Sequence, residues 1–322
     1  GAARMSCGTF FVKVVLFVVA SLCYALLGIL SQLSKAPDGS YEYSLPSVIL
    51  WAEAIKLLLS MFFFASECGS MALATQKLIR NPVTNLVAFA VPSALYSVNN
   101  WLDMFNNKFM DPATEQVLVQ GKIFTTALVW WAVFRQPLLF RKWIALLLLF
   151  VGTVCGGWGS VGNPDGKAKH QMYIEPVGVA LVMLYTLISA CAGVYNEWLY
   201  KSALFQAESI HACNMRLYSI GCLFNLVAHI SNGGTAGGLL QGFNGYTWAL
   251  VATYALMGLL IAQVMKLFDN IIKLFISGSS MYVSACLSWV LFGYRPTSNF
   301  LAALVLVTAA LTLYNWEKIA AL

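Results

Sequence analysis

The feature that most constrains this chain is a series of apolar stretches, each long enough to cross a lipid bilayer. A membrane-spanning α-helix needs about 20 mainly apolar residues, because the hydrocarbon core is about 30 Å thick and a helix rises about 1.5 Å per residue. Short turns rich in Gly, Pro, Asp and Asn separate the stretches, and none of them is long enough for a soluble domain. The predicted spans lie near residues 10–33, 46–66, 82–105, 113–134, 138–159, 174–200, 209–231, 244–267, 270–292 and 297–317.

Composition agrees with a membrane-embedded chain. Hydrophobic residues make up 60% of the sequence and charged residues only 10%, whereas soluble domains carry about 25% charged residues. The net charge of +6 comes with no long basic run and no nucleic-acid-binding motif, so nucleic acid is not an expected partner. The sequence therefore predicts an all-α membrane protein with ten transmembrane helices whose function takes place within or beside the lipid bilayer.

The placement of Lys and Arg predicts the orientation. With a cytosolic N-terminus, eleven of these residues fall on the cytosolic side and five on the opposite side, while Lys56, Lys122 and Arg216 lie inside spans. Basic residues are enriched in the cytosolic loops of membrane proteins. We therefore expect both termini in the cytosol and the loop at 161–170 on the other side.

An internal repeat divides the chain into halves. Three markers recur at a displacement of 158 or 159 residues: KFMD at 108–111 with KLFD at 266–269, Pro137 with Pro296, and Trp158 with Trp316. Each half holds five predicted spans, and because five is odd the second half must enter from the opposite side. The sequence predicts one transmembrane domain over 1–322, built from two inverted repeats at about 10–160 and 174–317, an arrangement typical of secondary transporters.

Several charged residues lie inside predicted spans, where charges are costly and mark functional sites. Glu53 and Lys56 are three residues apart on one helix face and can pair. A structural salt bridge that only fixes helix packing is an equal alternative for this pair. Glu115 and Lys122 are two turns apart on one face of the fourth span, where a water-filled cavity would let the ammonium bind a phosphate.

Polar residues also cluster in spans three, six and seven: Asn99, Asn100, Asp103, Tyr195, Asn196, Glu197, Asn214, Arg216 and Tyr218. Those of spans six and seven are expected to face one another, and all of them are candidates either for a binding cavity or for bridges between helices. Lys273 opens the ninth span, where a helix N-terminus adds its own attraction for anions.

Enzymatic motifs are missing from the sequence. It contains no G-x-S-x-G, H-E-x-x-H or P-loop motif and no group of ligands at metal-binding spacing. The eight cysteines form no C-x-x-C pair, and six of them lie in apolar runs as small packing residues. We predict neither an enzyme nor a metal or cofactor site. A discrete cavity of mixed charge also suits a carrier better than a channel.

Five stretches carry a family resemblance: AEAIKLLLS at 52–60, VPSALYSVNN at 91–100, MDPATEQVLVQGKIFTTAL at 110–128, AGVYNEWLYK at 192–201 and MKLFDNIIKLF at 265–275. The chain resembles the nucleotide-sugar transporters of the drug/metabolite transporter superfamily, in the branch of the CMP-sialic acid, UDP-galactose and UDP-N-acetylglucosamine carriers. MDPATEQVL and the region 239–275 look most like members known as "probable UDP-sugar transporters". The resemblance implies a ten-helix antiporter of the Golgi or endoplasmic reticulum membrane. It would bring a nucleotide-sugar into the lumen and return the nucleoside monophosphate.

The resemblance also assigns roles to single residues. Lys122 and Lys273 match the family's phosphate-binding lysines, Asn100 matches an asparagine that contacts the base, and Tyr218 matches a tyrosine of span seven. Glu115 departs from the family, which has a tyrosine against the nucleobase at this position. The resemblance therefore does not carry over a pyrimidine preference, and the base and sugar stay open.

The resulting hypothesis is exchange by alternating access about a cavity between the two repeats, with Lys122 and Lys273 clamping the phosphates. The residues expected to contact the rest of the substrate are Asn100, Glu115, Tyr195 and Tyr218. Those expected to support or gate the cavity are Glu53, Lys56, Asp103, Glu197 and Arg216. Two alternatives stay open: a carrier of another anionic metabolite, and a degenerate transporter that acts as a scaffold or regulatory subunit. Retention of both Lys122 and Lys273 favours transport over a scaffold role. Assembly into a homo-oligomer is also open.

Overall fold

The computed structural model describes residues 7–36, 41–80, 83–106, 109, 118–160, 176–292 and 298–316. Over these residues the chain forms eleven α-helices and one short 3-10 turn, and no strand. The helices are α1 (Cys7–Leu33), α2 (Leu45–Cys68), α3 (Met71–Arg80), α4 (Val83–Asn106), α5 (Lys122–Phe134), α6 (Phe140–Ser160), α7 (Pro176–Lys201), α8 (Ile210–Ser231), α9 (Gly245–Leu267), α10 (Asn270–Phe292) and α11 (Ser298–Tyr314).

Apolar length and turn residues determine most of these helices. Four segments within the described ranges are long and apolar enough to cross a membrane: Phe11–Ser31, Leu45–Cys68, Pro176–Lys201 and Gly245–Leu267. Nine of the ten predicted stretches coincide with a helix to within three residues at each end. The ends of α2 illustrate these turn signals. Pro46 lies in its first turn, and Gly69 caps its C-terminal end with a φ of 80°, the left-handed conformation that glycine adopts without strain.

The short helix α3 was not predicted, because its ten residues fall below the length of a span. Its first turn is fixed by Ser70, whose side chain accepts a hydrogen bond from the Leu73 N–H at 3.2 Å. Ala74 is buried and packs in a cluster with Phe64 of α2 and Ala212 of α8. This helix therefore lies against the ends of two longer helices rather than continuing either of them.

The start of α5 also differs from the prediction, which ran the fourth span from residue 113. Ahead of Lys122 the backbone forms tight turns, with the Gly121 N–H bonded to the Leu118 carbonyl and the Ile123 N–H bonded to the Gln120 carbonyl. These bonds connect residues three apart, as in a 3-10 turn. The helix therefore begins at Lys122, and most of the predicted segment before it lies outside the described residues.

The helices form two compact units. The first unit comprises Gly1–Ser97 and Tyr195–Asp269, and the second comprises Val98–Val194 and Asn270–Leu322. In the first unit α2 packs on α8 and α9, and α1 packs on α9. In the second unit α6 packs on α11, and α10 contacts α5, α6 and α11. Each unit therefore combines helices from both halves of the sequence.

The core of the first unit lies where α4, α7, α8 and α9 meet. Its buried members are Phe89, Leu199, Tyr200, Phe205, Ile210, Cys213, Ala262 and Met265. One of them, Phe205, belongs to the connection between α7 and α8 rather than to a helix. This core anchors the ends of the helices that carry the polar residues described next.

Candidate functional site

An ion pair lies inside the first unit, on one face of α2. Lys56 Nζ is 2.6 Å from Glu53 Oε1, and the two side chains are only 9% and 16% exposed. The pairing expected from their three-residue spacing is present. Two opposite charges can be buried together in an apolar environment because their attraction offsets the cost of removing them from water.

The ammonium of Lys56 also contacts an aromatic ring. Lys56 Nζ lies 4.3 Å from the centroid of the Tyr218 ring, which is within the range of a cation–π interaction. The Tyr218 hydroxyl donates a hydrogen bond to the Gly258 carbonyl at 3.2 Å. Tyr218 is therefore held at both its face and its hydroxyl, and this predicted binding residue sits in direct contact with the predicted supporting pair.

Two glycines make room for the ion pair. A β-carbon on Gly258 of α9 would lie 2.9 Å from Lys56 Nζ, and one on Gly221 of α8 would lie 3.0 Å from Glu53 Oε2. Both distances are too short for an ordinary contact, so any larger residue would displace the charged side chains. Sequence reasoning missed this role, because a glycine inside a span is read only as a packing residue.

A second buried polar contact joins α7 to α8 in the same unit. The Tyr200 hydroxyl donates to Asn214 Oδ1 at 2.6 Å. Asn196 is also buried, and its Oδ1 has no hydrogen-bond partner. Tyr195 is half-buried on α7, with its ring 5.5 Å from that of Trp198. Spans six and seven therefore do meet through polar groups, but the contact is made by Tyr200, which the sequence analysis did not select.

The two charged residues of these helices have partners that were not predicted. Glu197 is bonded to Lys201 at 2.7 Å, one turn further along α7. Arg216 donates two hydrogen bonds to Glu208, at 2.6 and 2.7 Å. Neither contact joins Glu197 to Arg216, and the expectation that they face one another stays a prediction. Glu208 escaped notice because it lies in the connection between two predicted spans, and only residues inside spans were considered.

The second unit carries the two predicted phosphate-binding lysines. Lys122 is the first residue of α5, Lys273 lies in the first turn of α10, and these two helices contact each other. Both side chains are half-buried. The dipole at a helix N-terminus attracts anions, so each lysine sits where its own charge is reinforced.

The start of α10 is fixed by a close approach to α7. Asn270 is buried at the first position of α10, and a β-carbon on Gly193 would come within 2.6 Å of its Nδ2 atom. Only glycine leaves space for this side chain. The packing thereby positions the turn that bears Lys273.

Three of the predicted site residues cannot be placed in the same detail. Glu115 lies outside the described residues, and Asn100 and Asp103 lie on α4 with side chains outside the described part of the chain. Their neighbour Asn99 is buried, and its Oδ1 has no hydrogen-bond partner.

Comparison with known proteins connects these residues to a family. The sequence pattern of the nucleotide-sugar transporter family matches residues 9–315. The probable UDP-sugar transporter protein SLC35A4 of Danio rerio is 35% identical, over 93% of this chain and 92% of its own length. The protein of the same name from Homo sapiens is 36% identical, over 87% of each chain. CMP-sialic acid transporter 1 of Oryza sativa subsp. japonica is 30% identical, over 92% of this chain and 93% of its own length.

The fold is shared with a protein of known structure. A crystal structure superposes with a TM-score of 0.68, covering 94% of this chain and 96% of the other at 13% identity. The relatives found by sequence are named as transporters, not enzymes. The described part of this chain contains four helices long and apolar enough to cross a membrane, as expected of a multi-pass membrane protein. The chain belongs to the nucleotide-sugar transporter family.

Proposed function

We propose that this protein exchanges a nucleotide-sugar for a nucleoside monophosphate across the Golgi or endoplasmic reticulum membrane. The observation that carries the proposal is the pair of half-buried lysines, Lys122 and Lys273, at the N-terminal ends of two contacting helices. Phosphate is the group that both exchanged molecules share. One site for phosphate therefore lets them compete, as exchange requires.

The remaining substrate contacts follow from the family resemblance. We assign Asn100, Glu115, Tyr195 and Tyr218 to the base and sugar. Lys56 contacts both Glu53 and the Tyr218 ring, so one of the assigned binding residues is joined to the assigned supporting pair. We assign a supporting or gating role to Glu53, Lys56, Asp103, Glu197 and Arg216.

Alternating access by two inverted repeats is the proposed mechanism. The helices that contact each other include repeat equivalents: α2 with α8, α5 with α10, and α6 with α11. The last pair begins at Phe140 and Ser298, which are 158 residues apart, the displacement of the sequence repeat. Contacts between equivalent helices support a two-fold relation between the halves of one transmembrane domain.

The first prediction concerns topology. Both termini should lie in the cytosol and the loop at 161–170 in the lumen, because this orientation puts the larger share of Lys and Arg on the cytosolic side. Glycosylation sites introduced at either terminus should stay unmodified, and one introduced at 161–170 should be modified. Termini on opposite faces of the membrane would contradict both the orientation and the inverted repeat.

A second prediction tests the substrate class. Nucleoside monophosphates and nucleotide-sugars should raise the unfolding temperature of the purified protein, because a ligand at 100 times its Kd stabilises a fold by about 2.7 kcal/mol. Free nucleosides and free sugars, which lack the phosphate, should have no effect. Stabilisation by a different anionic metabolite alone would favour the alternative carrier, and none by any ligand would contradict the proposal.

The same unfolding measurements, made with monophosphates of different nucleosides, test which nucleobase the protein prefers. An ionised carboxylate can only accept hydrogen bonds, so Glu115 should favour cytidine and guanosine, which present N–H donors, over uridine, which presents more carbonyl oxygens. Glu115→Tyr should shift the ranking toward uridine monophosphate. The control is Glu42→Tyr, which replaces an exposed carboxylate in the connection between α1 and α2. A ranking unchanged in Glu115→Tyr would show that Glu115 does not contact the base.

A further inference from the structure

The connection between α7 and α8, residues 202–209, is packed into the first unit rather than left loose. Phe205 is fully buried, and its ring lies 5.1 Å from that of Phe89 on α4. At the far end of the connection, the Ser209 hydroxyl donates to Glu67 Oε2 at 2.5 Å. The connection therefore closes one end of the first unit.

Glu208 ties this connection to two helices at once. Its carboxylate accepts both hydrogen bonds from Arg216 of α8, and its backbone carbonyl accepts a hydrogen bond from Lys266 of α9 at 3.1 Å. A bidentate contact between a guanidinium and a carboxylate is among the stronger polar interactions in proteins. Release of the Glu208 carboxylate would thus remove the side-chain bonds between the connection and α8.

The two halves of this ion pair differ in their access to water. The Arg216 guanidinium lies 5.9 Å and 5.7 Å from the ring centroids of Phe89 and Phe205, and its side chain is 7% exposed. The Glu208 side chain is 21% exposed. A carboxylate that reaches water can leave its partner at a lower desolvation cost than a fully buried one. Arg216 therefore stays fixed by its buried surroundings, whereas Glu208 can move away from it into water.

This end of the first unit adjoins the chain that leads to Lys273. Lys201, the last residue of α7, donates a hydrogen bond to the Phe268 carbonyl at the end of α9. Only Asp269 separates Phe268 from the first residue of α10, the helix that carries Lys273. This bond therefore fixes the end of α9.

From these contacts we infer that the Glu208–Arg216 pair is a latch that closes the 202–209 connection over the ends of α8 and α9 and opens during transport. Its part in transport rests on the proposed function, whereas the latch itself is a property of the first unit. By the predicted orientation this end faces the cytosol. Opening would then admit substrate from the side where nucleotide-sugar is taken up.

A native cysteine reports on the latch. Cys213 is only 1% exposed, and its Sγ lies 3.6 Å from Glu208 Oε2, so movement of Glu208 would uncover one side of the thiol. Cys222, further along α8, is half-buried and lies away from the latch. The two thiols thereby separate local opening from general unfolding.

The test is the alkylation rate of both cysteines in the purified full chain, with N-ethylmaleimide and peptide mass spectrometry. Glu208→Gln should accelerate labelling of Cys213 by about tenfold or more, the factor that corresponds to losing one charge-assisted hydrogen bond. Labelling of Cys222 should change less than about twofold, within the effect of an ordinary substitution. Glu42→Gln, which removes an exposed carboxylate of the same unit, should leave Cys213 slow.

Exchanging the charges, with Glu208→Arg and Arg216→Glu together, should return Cys213 to slow labelling. Equal Cys213 rates in Glu208→Gln and the wild type would overturn the latch, as would an equal acceleration at Cys222. If Glu208→Gln does not fold, Glu208→Asp, which keeps the charge but shortens its reach, is measured in the same way.

The role of the latch in transport is tested on the wild type. Nucleoside monophosphate should change the rate at which Cys213 is labelled, and an unchanged rate would show that the latch has no part in transport. Absence of exchange by wild-type proteoliposomes would instead contradict the proposed function, with the labelling rates still deciding the latch.

Discussion

Lys122→Ala and Lys273→Ala are each expected to abolish exchange of nucleotide-sugar in proteoliposomes while leaving the protein folded. Each substitution removes a cation from the N-terminal end of a helix in the second unit. A hydrogen bond to a charged group contributes roughly 1.5–3 kcal/mol, and every 1.4 kcal/mol corresponds to about tenfold in affinity. Because both exchanged molecules use the phosphate, import and return should fail together.

The matched control is Lys142→Ala. Lys142 is also a half-buried lysine of the second unit, near the start of α6, but its Nζ lies 5.4 Å from the ring centroid of Tyr314 and has no assigned part in binding. It should exchange normally. Lys273→Arg should recover only part of the activity, because a planar guanidinium does not replace a compact ammonium. Normal exchange by either alanine variant would mean that the phosphate binds elsewhere.

The second large effect is expected on stability, from Lys56→Met. This substitution leaves Glu53 with no cation in an apolar environment and takes the ammonium away from the Tyr218 ring. Removing one partner of a buried ion pair typically costs roughly 3–5 kcal/mol. Thermal unfolding in detergent should therefore show a large fall in the midpoint temperature of the variant.

Replacing both partners separates stability from function. In Glu53→Leu with Lys56→Met no buried charge is left unpaired, so most of the lost stability should return. Exchange should stay low, since Tyr218 has lost the contact that orients its ring. As a control, Lys35→Met removes another lysine that lies over a tyrosine ring, at 5.2 Å from Tyr41, and should change the free energy of unfolding by less than about 0.5 kcal/mol. An unaltered midpoint in Lys56→Met would show that the pair does not stabilise the fold.

The sequence predicted those features that depend on near neighbours in the chain. Helix ends were predicted from apolar runs bounded by turn residues. The ion pair of Glu53 and Lys56 was predicted from their three-residue spacing. The helix α3 was missed because a window of about 20 residues does not register a helix of ten. The tight turn before Lys122 was missed because the fourth predicted span was continued through Gln120 and Gly121, although a polar residue followed by glycine is a turn signal.

Contacts between distant segments could not be read in the same way. The ring of Tyr218 meets Lys56 across more than 160 positions of sequence, and no local pattern encodes that approach. Arg216 pairs with Glu208 only because the connection between α7 and α8 folds back onto the first unit. Charge and burial marked which residues need a partner, but tertiary packing decided which partner each one has.

The two glycines beside the ion pair limit how this protein can be redesigned. Gly258 leaves room for the Lys56 side chain, and Gly221 leaves room for Glu53, so the volumes available at these positions are shared. A larger residue at position 258 with lysine kept at 56 would push the lysine side chain away from its present position. Productive variants have to be sought by changing positions 56 and 258 together, with the side chain shortened at one as it lengthens at the other. Positions 56 and 258 therefore have to be varied as a pair, although about 200 residues separate them in the sequence.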